Sequence, residues 1–321
     1  MTRELLTIKN LKTYFFTQNG IVRAVDGVSI DIYEKSAVGL VGESGCGKSV
    51  TALSVMRLVP SPGKIVDGEI LLRNVNLLEL SEKEMQHVRG RDISMVFQDP
   101  MTYLNPVFKV GDQIAEGMIL HQGLTKSEAK KRAIELLENA NVPSPKAIAE
   151  SYPHQLSGGM RQRVLIAMAI ACKPSLLIAD EPTTALDVTV QAQILEMLKD
   201  LICKLKTSKL LITQDLGIVA DICERVYVMY AGRIVESANV FALFENPKHP
   251  YTIGLLKSVL SIDKFKRKLW YINGAVPSPI NFPHGCRFNP RCPQARPICK
   301  REEPPIIKLE KQHLIACWLY H

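Results

Sequence analysis

Residues 42–49 read Gly-Glu-Ser-Gly-Cys-Gly-Lys-Ser, an order of residue types that can hold a chain of phosphates. Gly42, Gly45 and Gly47 let the backbone curl so that its N–H groups aim at phosphate oxygens, with the small residues Ser44 and Cys46 between them. Lys48 can reach the β- and γ-phosphates, and the Ser49 hydroxyl can coordinate Mg²⁺. A helix opening through Lys48, Ser49 and Val50 adds the positive end of its dipole. A chance glycine-rich turn would share the glycines. It would not share the apolar run 37–41 before them or the helical pattern after them.

Two further clusters suit phosphate chemistry. The apolar run 176–179 ends in Asp180 and Glu181, and Pro182 forbids its continuation as a ladder strand. A carboxylate at such a strand end can hold Mg²⁺ through water, which fits Asp180. Glu181, one residue later, is placed to act as a general base or to polarise a water. Ser157, Gly158 and Gly159 precede the helical pattern "RQRVLIAMAIA" and give a second helix N-terminus with free donors, hence a second anion site. One nucleotide does not need two such sites from one chain, so this one points to a nucleotide held by another subunit.

Four cysteines near the C-terminus, Cys286, Cys292, Cys299 and Cys317, pose a different question. The intervals of five, six and seventeen residues do not match the two to four that paired zinc-binding cysteines prefer. Four thiolates also satisfy a [4Fe–4S] cluster, whose spacings vary more. Arg287, Arg291, Arg296, Lys300 and Arg301 crowd the same stretch and could offset the negative charge of such a centre. Zinc stays the alternative, and four reduced thiols the bland reading. The remaining cysteines are scattered and read as small core residues.

These groups need a scaffold. Residues 5–16 and 20–32 read as two strands joined by a turn at Gln18-Asn19-Gly20, and 37–42 as a short buried strand that stops at glycine. The order strand, glycine loop, helix implies an α/β fold. With 46% hydrophobic and 22% charged residues, the 321-residue chain has an ordinary globular balance. Its longest uncharged apolar run, 164–172, is far short of the ~18 residues of a membrane span. The first ten residues lack the apolar core of a signal peptide, so a cytoplasmic setting without structural disulfides is expected. Residues 247–321 hold thirteen Lys/Arg against four Asp/Glu, a net of +9, while the whole chain carries +8. The body is therefore close to neutral, which argues against a nucleic-acid partner.

The octet 42–49, "VFQDP" (96–100), "LSGGMRQR" (156–163) and "LLIADEP" (176–182) with "ALD" (185–187) follow the order seen in the ATPase subunits of ABC transporters, and the chain resembles them over residues 1 to about 240. The resemblance implies a P-loop NTPase core of ABC ATPase type, with an antiparallel β subdomain, an inserted helical subdomain at about 100–170, and a C-terminal Cys-containing extension at 246–321 behind an ATPase domain at 1–245. It implies that Gln98 touches Mg²⁺ and the attacking water and links the site to a membrane partner. Asp187 is similar to the aspartate that crosses the ATPase dimer. Phe15 is the candidate for stacking on adenine, with Tyr14 second.

"QDPMTYLNP" (98–106), "YPHQLSGGMRQR" (152–163), "NPKHPYTIGLL" (246–256), "GAVPSP" (274–279) and "HGCRFNPRC" (284–292) resemble the ATPases of dipeptide and oligopeptide importers. Nickel importers share much of the pattern. The resemblance implies ATP and Mg²⁺ as ligands, and a [4Fe–4S] centre on the four cysteines. It also implies a second, related ATPase chain, two permease subunits, an extracytoplasmic peptide-binding protein acting indirectly, and a place on the cytoplasmic face of the membrane. A soluble ABC ATPase acting on nucleic acid or ribosomes is the rival, but the long coiled-coil insertion or second P-loop usual there is missing. Gln214 in "LLITQDLG" (210–217) stands where the family places a histidine, and slowed hydrolysis is expected. Cys292→Ser is expected to loosen residues 284–321 and leave nucleotide binding mostly intact.

Overall fold

The computed structural model describes residues 3–183, 187–258, 271–310 and 313–321. It is mixed α/β and divides into two compact units, Met1–Leu5 with Ile32–Ser36 and Glu79–Leu211, and Leu6–Asp31 with Ala37–Leu78 and Ile212–His321.

The second unit is built on two sheets. One is antiparallel, in the order Gly20–Tyr33, Glu4–Thr17, Gly63–Leu72, Val75–Asn76. The first two of these are the hairpin read from residues 5–32. In the other, Ala37–Val41 runs parallel to Arg225–Tyr230, with Leu40 opposite Tyr227. Arg225–Tyr230 pairs antiparallel with Arg233–Asn239, which carries the short strands Leu314–Ile315 and Ile307–Lys308 on its outer side. All five residues of Ala37–Val41 are buried, which explains a strand with no polar alternation. The helix Lys48–Val55 follows directly from that strand through the glycine loop.

The other unit pairs Ile93–Val96 with Leu176–Asp180 in parallel, register Val96 to Ala179. Both strands are wholly buried. Between them in sequence lie the helices Pro100–Tyr103, Val110–Gln122, Lys126–Asn139, Pro145–Ala149 and Gly158–Ile170. Lys126–Asn139 begins at a capping box, Thr125 with Glu128, and buries Ala129, Ala133 and Leu137 on one face. Gly158–Ile170 buries nearly all of its C-terminal half, which is why its sequence is apolar without being amphipathic.

Candidate functional site

The phosphate loop takes its shape from glycine. Gly42 and Gly47 both have positive φ, and a Cβ at either would strike backbone, the carbonyl of Met229 at Gly42 and that of Ala24 at Gly47. Gly47 is the N-cap of the helix Lys48–Val55. Lys48 is buried, and its Nζ donates to the carbonyls of Gly42 at 2.8 Å and Glu43 at 3.0 Å. Ser44 and Gly45 are exposed at the tip, Ser49 and Val50 are half-buried, and Cys46 is buried, with its thiol pushed up by burial. Cys46 is therefore a packing residue of the loop.

Phe15 and Tyr14 are both half-buried near the end of Glu4–Thr17, Phe15 facing Gly63. Tyr14 is tied: its hydroxyl donates to Asp26 at 2.6 Å. Burial first, then that carboxylate, pushes the Tyr14 hydroxyl up to about 12.

In the other unit the strand-end carboxylates sit where the run 176–182 put them. Asp180 is buried as the last residue of its strand. Glu181 follows with φ 45°, a left-handed conformation that a non-glycine residue adopts at a cost. Gln98 is exposed just beyond Ile93–Val96, and its Nε2 donates to Glu181 Oε2 at 2.9 Å. Parallel pairing brings both strands to their C-terminal ends together, so two residues 83 apart in sequence meet.

Ser157 caps the helix Gly158–Ile170, its Oγ accepting from the Met160 N–H at 3.3 Å. Ser157 and Gly158 are exposed, while a Cβ on Gly159 would crowd Val190. Exposed Asp187 accepts from the Val190 N–H at 2.9 Å at the start of Val188–Leu205. Gln214 is exposed directly after the strand Ser208–Thr213, and Asp215 next to it caps Leu216–Ile222.

The four C-terminal cysteines are free thiols, Cys299 and Cys317 buried, Cys286 and Cys292 half-buried. Among the described residues no three His, Cys, Asp or Glu side chains group so as to hold a metal ion. The expected metal set Cys286, Cys292, Cys299 and Cys317 is thus not found as a ligating group, for iron–sulfur or for zinc. As free thiols, Cys286 and Cys317 are pushed up to about 11 by burial. Cys286 and Cys299 are nevertheless neighbours: the Cys286 N–H donates to the Cys299 carbonyl at 2.8 Å.

Sequence reasoning passed over several residues that hold the phosphate loop. Glu43 lies inside the octet, yet its carboxylate is gripped by Arg291, and its N–H donates to the Tyr251 hydroxyl at 2.8 Å. Arg287 pairs with buried Asp26. In sequence both arginines suggest only charge balance around the cysteines, and no local signal names their partners 248 and 261 residues away.

A glycine loop that opens a helix after a buried parallel strand, a strand-end Asp-Glu pair and a serine-capped Gly-Gly helix together define an ABC-type ATP-binding cassette. Residues 25–184 match the family described as ABC transporter, and residues 235–299 the family described as oligopeptide/dipeptide transporter, C-terminal region. The chain is 52% identical to the oligopeptide transport ATP-binding protein AppD of Bacillus subtilis, covering 98% of this chain and 97% of that one. It is 47% identical to the dipeptide transport ATP-binding protein DppD of Escherichia coli, covering 98% and 96%. Among solved structures, the ATP-binding cassette MJ0796, a dimer bound to ADP and Pi, matches with TM-score 0.66 and 28% identity over 74% of this chain and 99% of that one. The chain belongs to the family of oligopeptide and dipeptide transport ATP-binding proteins.

Proposed function

We propose that this chain binds and hydrolyses ATP to power the import of di- or oligopeptides. What carries the reading is the presence in one chain of the phosphate loop at 42–49 and the peptide-transporter C-terminal region at 235–299. Lys48 and the loop N–H groups bind the phosphates, with Phe15 as the stacking partner of adenine. Ser49, Asp180 and Gln98 would hold Mg²⁺, whose charge would offset that of the phosphates. Glu181 accepts the proton of the water that attacks the γ-phosphorus, releasing ADP and phosphate. Gln214 replaces a histidine that would contact the γ-phosphate. Glutamine can donate a hydrogen bond there but cannot shuttle a proton, so turnover is slow.

Ser157, Gly158, Gly159 and Asp187 serve a nucleotide bound to a second ATPase chain, a different but related protein. The ATPase domain occupies 1–245, with the helical part at 100–170 docking on two permease subunits at the cytoplasmic face of the membrane; a peptide-binding protein delivers cargo on the far side. Among the described residues no helix is long and apolar enough to cross a membrane, in keeping with a peripheral subunit. Cys286, Cys292, Cys299 and Cys317 would hold a [4Fe–4S] centre, which would knit the extension at 246–321 together. The backbone contact between Cys286 and Cys299 and the arginines in the same stretch support this.

The test is purification of the native complex with identification of its subunits, followed by reconstitution in vesicles. ATP-dependent uptake of labelled dipeptide is the expected result. Uptake of nickel and not peptide would move the chain to the alternative importer class.

A further inference from the structure

Glu43 is the residue that anchors the phosphate loop, and phosphate chemistry itself does not call for it. Its three polar groups are all engaged. The N–H donates to the Tyr251 hydroxyl at 2.8 Å, and the carbonyl accepts from Lys48 Nζ at 3.0 Å. The carboxylate takes a two-pronged grip from Arg291, Nη1 to Oε2 at 2.6 Å and Nη2 to Oε1 at 3.0 Å. Arg291 is itself fixed. Only 5% of its side chain is exposed, and it donates from Nε to the Asn273 carbonyl at 3.1 Å and from Nη2 to the Ile272 carbonyl at 3.3 Å. It stands one residue before Cys292. Phe288 of the same segment packs edge-on against Tyr230, with ring centres 5.2 Å apart, and against Tyr251 at 5.5 Å. The cysteine-rich extension is therefore seated directly on the phosphate loop.

We propose that Arg291 is a positioning residue of the phosphate loop, so that nucleotide affinity depends on the cysteine-rich extension that presents it. By holding Glu43 it keeps the loop in its phosphate-receiving shape. It also cancels a carboxylate that would otherwise stand bare beside the phosphates and repel them. A planar guanidinium does both at once through its fork; an ammonium group supplies the charge without the geometry. The inference rests on residues 42–49 receiving the phosphates of ATP. If the unaltered full chain binds no ATP, that reading fails. If it binds ATP and Arg291 is irrelevant, only this inference fails.

The experiment measures the dissociation constant of Mg²⁺-ATP for the full chain by equilibrium dialysis. Arg291→Ala is expected to raise it about tenfold, and Arg291→Lys by a smaller factor. The discriminating variant carries Glu43→Gln with Arg291→Ala. With no carboxylate left to neutralise, its constant should lie within about twofold of Glu43→Gln alone. A merely structural arginine would cost as much in that background as in the parent. Should Arg291→Ala fail to fold, Arg291→Lys with and without Glu43→Gln makes the same comparison. An unchanged constant in both arginine variants, or an equal loss with and without Glu43→Gln, overturns the proposal.

Discussion

The side-chain amide of Gln98 donates a 2.9 Å hydrogen bond to the carboxylate of Glu181, and Glu181 holds a left-handed backbone, φ 45°. Backbone strain of this sort costs on the order of 1–3 kcal/mol and persists only where the surroundings enforce it. Here the strand Leu176–Asp180 delivers the residue and Pro182 blocks its continuation. The hydrogen bond then fixes the orientation of the carboxylate.

Two variants separate the chemistry from the positioning. Glu181→Gln keeps shape and loses the base, so steady-state ATPase should fall by about 10²-fold or more while ATP binding is retained. Gln98→Ala leaves the base but frees its orientation and removes one Mg²⁺ contact, so a smaller loss, about tenfold, is expected. Near-normal turnover in Glu181→Gln would move the base elsewhere.

Gln214 carries the second prediction. It is exposed directly after the buried strand Ser208–Thr213. Assayed in the same assembled complex, Gln214→His should hydrolyse ATP faster than the chain as it stands. Equal, robust rates would mean that glutamine suffices.

The shape of the glycine loop was legible because it is set locally. Gly42, Gly47, Lys48 and Ser49 lie within eight residues, and the glycines answer to backbone sterics that any sequence with this fold must obey. Asp180, Glu181 and Ser157 were legible for the same reason, each marking the end or start of an apolar run. Arg291 and Arg287 were not. Their partners Glu43 and Asp26 are set by how the chain returns to Arg225–Tyr230 and Arg233–Asn239, and ion-pair partners leave no periodicity in sequence. The cysteines were legible as a group but not as ligands, because spacing alone does not say how far apart four thiols come to rest.

Arg287 supports the third prediction. Its guanidinium is buried against Asp26, which also accepts the Tyr14 hydroxyl, and it donates to the Ala231 carbonyl at 2.6 Å. Burial alone would raise the Asp26 carboxyl, yet hydrogen bonds from Tyr14 and Arg287 hold it below the ordinary value. Arg287→Met should cost about 3 kcal/mol, because it strips a buried carboxylate of its nearest cation. Denaturant unfolding of the parent and variant measures this; a loss under about 0.5 kcal/mol would show that Arg233, 3.5 Å from the same oxygen, suffices alone.

His249 gives a pH signature. The ring is buried, and its Nδ1 accepts the Tyr251 N–H at 3.0 Å, a bond that a doubly protonated ring cannot accept. Burial lowers its pKa from 6.5 to about 4, outweighing the opposing pull of Glu236. The folded state therefore binds fewer protons, so this contribution is complete above pH 6.5 and is lost as pH falls toward 4, at about 1.4 kcal/mol per pH unit within that window. Glu236 acts lower. Burial raises its carboxyl, but His313 and the N–H groups of Lys248 and His249 outweigh that and hold it below 4.5, so its share is lost only as pH falls beneath that value. Stability of the parent should fall between pH 6.5 and 4.5 more steeply than that of His249→Gln. Parallel curves would rule the histidine out as the cause.

Cys292 offers the most direct test of how far the extension reaches. Its thiol is half-buried, and burial raises it, so in the free-thiol state it packs as a neutral group one residue from Arg291. Serine in its place is smaller and better hydrated, which loosens the segment that holds Arg291 against Glu43. The sequence alone suggested that such a change would spare the nucleotide. The grip of Arg291 on the phosphate loop leads to the opposite expectation: Cys292→Ser should weaken ATP binding in the same direction as Arg291→Ala. Two changes acting through one contact do not add, so Cys292→Ser in the Arg291→Ala background should bring little further loss, within about twofold. Equilibrium binding of ATP to the parent, both single variants and the double completes the cycle. Full additivity would mean that the cysteine reaches the nucleotide by a route other than Arg291, and an unchanged affinity in Cys292→Ser would mean that Arg291 keeps its place without the thiol.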